Sequence, residues 1–169
     1  MPSELLTLLY NGDRSGAQVL AREQPSLSIF EASGIGALEA LIECCELEPD
    51  CIRAYSDDGW TALHLAAFFG NNACVKELLR RGAEIDAHAR NGTDVTPLHS
   101  ACAGNHTDVA QTLISSGADV NAVQHGGYHP LDSALQNGNE EVAEALRAAG
   151  ARSRTIDATE APDEGEAPL

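Results

Sequence analysis

The sequence predicts an all-α solenoid, a row of stacked helix-turn-helix units joined by hairpin-like loops. Three observations carry that expectation. The strings "TALHLAA" from Thr61, "TPLHSAC" from Thr96 and "HPLDSAL" from His129 are variants of one another, set thirty-five and thirty-three residues apart. The pairs Gly82-Ala83, Gly117-Ala118 and Gly150-Ala151 repeat the same two intervals. Hydrophobic residues make up 43% of the chain and aromatics only 4%, so the core must come from Ala, Leu, Val and Ile. That composition suits closely packed helices better than a β-sandwich.

Each element follows from the register. A first unit starts near Ser3, with "LLTLLYNG" as one helix and "RSGAQVLARE" as the other. A second starts at Ser28, thirty-three residues before Thr61, where Ser28 and Glu31 form an S-x-x-E capping box. Only twenty-five residues separate those two starts, so the loop between them lacks about eight residues. In the third unit Thr61 suits an N-cap, Gly70 parts the two helices, and Val75, Leu78 and Leu79 line the second helix. The fourth places Pro97 at the first helical position, where no N–H is needed, and Asn105 between its helices. The fifth repeats this with Pro130 and Gly138. Gly82, Gly117 and Gly150 follow second helices, where a left-handed residue is expected. The string "DAHARNGTDVT" holds two extra residues, so that loop should project further, with Asn91-Gly92 as its tight turn. No unit of this size buries its apolar face alone; stacking does it.

The strings "TPLH", "RRGAEIDA" and "SSGADVNA" carry a resemblance to the ankyrin repeat, close over 59–87 and 95–122 and good over 128–151. The expected organisation is an ankyrin-repeat domain over 1–152, with units near 3–27, 28–60, 61–95, 96–128 and 129–151, the first two irregular. An acidic, disordered tail is expected over 153–169; the string from Arg152 onward, "RSRTIDATEAPDEGEAPL", is rich in acids and nearly lacks large apolar residues.

Composition narrows the function. A formal net charge of −16 repels phosphate backbones, so nucleic-acid binding is not expected; solubility is the commoner reason for such acidity, and a basic protein partner is the other reading it admits. "MPSELLTLLYNGD" has no positive n-region and no long apolar run, so neither signal peptide nor membrane span is expected. The five cysteines, Cys44, Cys45, Cys51, Cys74 and Cys102, show no framework spacing and read as reduced core residues of a cytoplasmic protein.

The sharpest candidates for chemistry are His99 and Cys102, three apart on one helical face, which would suit a nucleophile with its base or a metal site. The earlier unit carries His64 but Ala67 in place of the cysteine, and the later one carries Asp132 and Leu135. The histidine therefore follows the scaffold rhythm, and no catalytic residue, metal ligand or cofactor is expected. The resemblance implies that such a histidine hydrogen-bonds near the helix start and ties neighbouring units together. Thr61, His64, Thr96, Pro97, His99, Gly82, Gly117 and Gly150 are accordingly structural.

The resemblance also implies where a partner docks: at loop tips, at the residue before the threonine, and at the end of the first helix. Those positions hold Trp60, Val95 and Tyr128, then Phe68 and Phe69, with Tyr10 and Asn11 in the first unit. Asp57, Asp58 and Asp94 lie beside them as an acidic rim. An aromatic cluster with such a rim has the make-up of a protein-binding hot spot. The expectation is a monomeric, non-catalytic module binding a protein through its concave face and loop tips. The alternatives are a small enzyme or metal protein using His99 and Cys102, and a structural subunit self-associating through its first units.

Overall fold

A computed structural model describes residues 2–154, built from ten α-helices in five antiparallel pairs. They are α1 (Glu4–Tyr10) and α2 (Arg14–Glu23), α3 (Ile29–Ile35) and α4 (Leu38–Leu47), α5 (Ala62–Phe68) and α6 (Asn72–Arg80), α7 (Pro97–Ala103) and α8 (Thr107–Ser115), and α9 (Pro130–Gln136) and α10 (Glu140–Ala148). A 3₁₀ turn, Pro49–Arg53, follows α4. No helix among the described residues is long and apolar enough to cross a membrane. Of the segment read as an acidic tail over 153–169, Ser153 and Arg154 are held against the fifth unit, and the rest, from residue 155 onward, lies outside the described residues.

From α3 through α10, stacking makes one continuous core. First helices pack on first helices from α3 through α9, and second helices on second helices from α4 through α10. Leu63, Leu98 and Leu131 are buried from one row, and Leu78, Leu113 and Leu146 from the other. Each buried leucine contributes about 1.5–3 kcal/mol of transfer free energy. Small residues let the rows approach: Ala66, Ala101 and Ala134 have no exposed surface. At Gly104, whose φ is an ordinary −75°, an added Cβ would overlap the Phe68 carbonyl, so glycine sets the α5–α7 approach.

Caps fix where each helix starts. The Thr61 hydroxyl accepts from the His64 N–H at 3.3 Å, and His64 Nδ1 accepts from the Thr61 N–H at 3.3 Å. That leaves Nε2 protonated, and it donates to the Val95 carbonyl of the next hairpin at 2.9 Å. His99 repeats the arrangement with Thr96, and its Nε2 reaches the Tyr128 carbonyl at 3.3 Å. Burial holds both rings neutral, lowering their pKa from 6.5 to about 4.

The fifth unit inverts this polarity. Asp132 accepts from the His129 N–H at 2.7 Å, from the Ser153 hydroxyl at 2.6 Å and from the Arg154 N–H at 3.1 Å. Burial pushes its carboxyl up, but these donors outweigh that and leave it below the usual carboxylate value. Ser153 is buried, so residues after α10 fold back and close the end of the stack.

Three hairpins run beside the first helices. Ser56 N–H to Trp60 O at 2.8 Å, Ala89 N–H to Val95 O at 2.9 Å and Gln124 N–H to Tyr128 O at 3.0 Å close them. They also bond to one another, Arg90 N–H to Gly59 O and His125 N–H to Thr93 O, both at 2.8 Å. Gly59 has φ +82° and lies against the Arg90 backbone, a place no larger residue fits.

The first unit departs from the rhythm. Five residues, 24–28, link α2 to α3, too few for a hairpin. Freed from hairpin geometry, α1 leans across α3 and reaches the third unit. Leu5, Leu6 and Leu9 form a second cluster with Leu65, against which Trp60 and Phe69 pack. Arg14 donates to Asn71 Oδ1 at 2.9 Å, and the Tyr10 hydroxyl donates to Asp58 Oδ2 at 2.8 Å.

Candidate functional site: the aromatic face

The face made by the first helices and the hairpins gathers most of the aromatic side chains. Trp60 precedes the Thr61 cap and leaves the first hairpin, where the Ser56 hydroxyl accepts from its N–H at 3.0 Å. Phe68 closes α5 and is 40% exposed, while Phe69 is half-buried and meets it edge-on, ring centroids 5.2 Å apart. Tyr10 lies 5.8 Å from Phe69. Between these side chains a cavity of about 350 Å³ opens, lined by Tyr10, Asp58, Trp60, Leu65, Phe68 and Ser100, with His64 in its wall.

Asp58 is held in place at that cavity. Its Oδ1 accepts from the Ser56 hydroxyl at 2.6 Å and its Oδ2 from Tyr10. Burial raises the Tyr10 pKa, and the bond to Asp58 and its negative charge add to the rise, so the phenol keeps its proton.

The other residues singled out from sequence are spread along the face. Asp57 and Asp94 are exposed at hairpin tips, and Val95 is half-buried, its carbonyl engaged by His64. Asp94 takes a left-handed φ of +60°, and its carbonyl lies 3.0 Å from His88 Nδ1. Tyr128 is set apart from the cluster and is partly covered, because the Arg154 guanidinium sits 4.8 Å from its ring centre. Gly82, Gly117 and Gly150 have φ of +89°, +91° and +86° directly after the second-helix caps. Two partners were not legible: the Tyr10–Asp58 bond, which ties the first unit to the hairpin leading into the third, and Arg154, whose cation gave no sign that it would fold back.

His99 and Cys102 offer little chemistry. Both ring nitrogens of His99 are engaged, by Thr96 and Tyr128, leaving neither for the thiol. Cys102 is buried, which pushes its thiol up to about 12. No cluster of three or more His, Cys, Asp or Glu side chains among the described residues could hold a metal ion.

Comparison with known proteins matches this architecture. A family model described as ankyrin repeats, in three copies, aligns with residues 4–91, 29–124 and 86–157. The chain belongs to the ankyrin-repeat family. Among ankyrin-type relatives, it is 47% identical over 74 residues to protein phosphatase 1 regulatory subunit 27 of Mus musculus, covering 44% of this chain and 47% of that protein. It is 36% identical over 97 residues to the SMC5-SMC6 complex localization factor protein 1 of Homo sapiens, covering 56% of this chain and 9% of the other. It is 33% identical over 127 residues to the B-cell lymphoma 3 protein homolog of Mus musculus, 66% of this chain and 28% of that protein. The chain therefore spans less than half the length of these ankyrin relatives.

Proposed function

We propose that this ankyrin-repeat chain is a non-catalytic, monomeric, cytoplasmic module that binds a protein carrying a basic surface. Ankyrin repeats generally mediate protein–protein interaction, and one relative is named as a regulatory subunit. The observation that carries the reading is the cavity ringed by Tyr10, Trp60 and Phe68 with Asp58 beside it. Exposed aromatic area next to fixed charge is where binding energy concentrates in protein interfaces. The net charge of −16 steers basic partners in and turns nucleic acids away. Asp57, Asp94, Val95 and Tyr128 would extend contact along the hairpin row, and the stacked scaffold presents that row with little entropy to lose on binding.

A capture experiment from native lysate tests this, comparing wild type with Trp60→Ala/Phe68→Ala. Partners retained by wild type and lost by the double variant are the expected result. Equal capture by both proteins would place the binding face elsewhere.

A further inference from the structure

The face carries three sites where a ring meets charge, and they differ in one respect. Arg90 lies 3.8 Å from the centre of the Tyr55 ring, and Arg154 lies 4.8 Å from that of Tyr128. Both rings thus hold a cation of the chain itself. At the third site, Tyr10, Trp60 and Phe68 surround the 350 Å³ cavity, and no cation–ring contact among the described residues involves them. Asp58 points its carboxylate at the same cavity. Its two oxygens accept from the neutral hydroxyls of Tyr10 and Ser56, so its charge is fixed in position and not neutralised. None of the ion pairs among the described residues includes it.

Ligand classes sort themselves against this set. An anion would face the Asp58 charge. A metal ion wants several oxygen ligands and finds one carboxylate among rings. A purely apolar side chain would cover the rings but strip water from the carboxylate without replacing its hydrogen bonds. A cation on an apolar stem satisfies every wall, since ring faces attract positive charge, Leu65 meets the stem, and the carboxylate takes the N–H. The volume, at the lower end of the roughly 300–1,000 Å³ usual for ligand pockets, suits a single long side chain. The neutral His64 ring, with its Nε2–H committed to Val95, adds no opposing charge.

We propose that this cavity receives one lysine side chain of the basic partner, its ε-ammonium over the rings of Tyr10, Trp60 and Phe68 and against Asp58. The two Asp58 oxygens are already engaged by Tyr10 and Ser56 and so suit a point charge better than the two-pronged fork of arginine. The inference rests on the protein-binding reading above and names the chemistry of its anchor. The first unit is then part of the site, because Tyr10 both supplies a ring and orients the carboxylate.

Trp60 is the chain's one tryptophan, so its fluorescence reports on the cavity directly. The full chain is titrated with a short end-capped peptide whose only charge is one central lysine, and with counterparts bearing norleucine or arginine there. The expected result is a saturable change in Trp60 emission with lysine, and affinity weaker by about tenfold with norleucine. Asp58→Asn and Phe68→Ala should each weaken lysine binding, with unfolding midpoints measured alongside to show that both variants fold. No saturable change up to millimolar peptide, or equal affinity for norleucine or arginine, overturns the proposal. If Asp58→Asn still captures the partner while Trp60→Ala/Phe68→Ala does not, the binding face stands and the lysine assignment falls. If all variants capture it equally, the binding face falls with it.

Discussion

The last three units and the first unit use the same helix pair and stack it in different ways. From α5 to α10 each unit touches the next, and the ties are short and repeated: His64 to Val95, His99 to Tyr128, and the Asn137 amide to the Cys102 carbonyl at 3.0 Å. The first unit has no hairpin to carry such a tie. It docks on its neighbour with leucines and reaches past it to the third unit, Tyr10 meeting the Phe69 ring and Arg14 bonding Asn71. Where the end of α2 meets α4, a groove of about 840 Å³ opens beside Leu27, Phe30, Cys44 and Leu47. The regular units gain stability by repetition, whereas the irregular one packs on its neighbour without a hairpin tie and closes one side of the aromatic cavity.

That contrast is breakable, and the largest effect should come from the regular stack. Leu98→Ala, at a position with no exposed surface, should lower unfolding stability by about 2–5 kcal/mol across the whole protein. Leu6→Ala, in the smaller cluster, should instead loosen one end. Hydrogen exchange would then accelerate in α1 and α2 and stay unchanged in α7 through α10. Uniform acceleration would mean that the first unit is as tightly coupled as the rest.

The pH response should be smaller and confined to the third and fourth units. His64 and His99 take up protons near pH 6.5 when unfolded but only near 4 when folded. Their stabilisation is therefore complete above pH 6.5 and is lost as pH falls from 6.5 towards 4. Between pH 8 and pH 5 the loss should be about 2 kcal/mol for each histidine, read from denaturant midpoints. Replacing either with glutamine should remove its share of that slope. Asp132, lowered rather than raised, keeps its contribution throughout this range and loses it only at more acidic pH. The smallest effect should be that of Arg154→Ala, which removes a contact with the Tyr128 ring and a 2.7 Å bond to the Gly126 carbonyl. A loss of about 0.5–1 kcal/mol is expected, at the last unit only.

How much of this the sequence carried differs between the same two regions. Where Thr61, His64, Thr96 and His99 repeat, helix starts, caps and the role of the histidine were readable, because each residue satisfies a local rule. Ser28 and Glu31 likewise form the capping box their spacing suggests, with both directions of the bond present. The shortened link before Ser28 was countable, but its consequence was not. Local rules say nothing of where a helix goes once its hairpin is gone, and α1 went to the third unit because Leu65, Trp60 and Phe69 offered apolar surface there. For the same reason Trp60, Phe68 and Phe69 were found as a group, whereas Tyr10, named only by its position at a helix end, became the partner that shapes the cavity.

The bridge from the first unit to the hairpin that leads into the third is what makes one site of two regions, and a double-mutant cycle on Tyr10→Phe and Asp58→Ala tests it most directly. Unfolding free energies of the four proteins should give a coupling of about 1 kcal/mol, the worth of the hydrogen bond across the cavity. Additive effects, with no coupling, would contradict the bridge and return the first unit to an ordinary place at the end of the row.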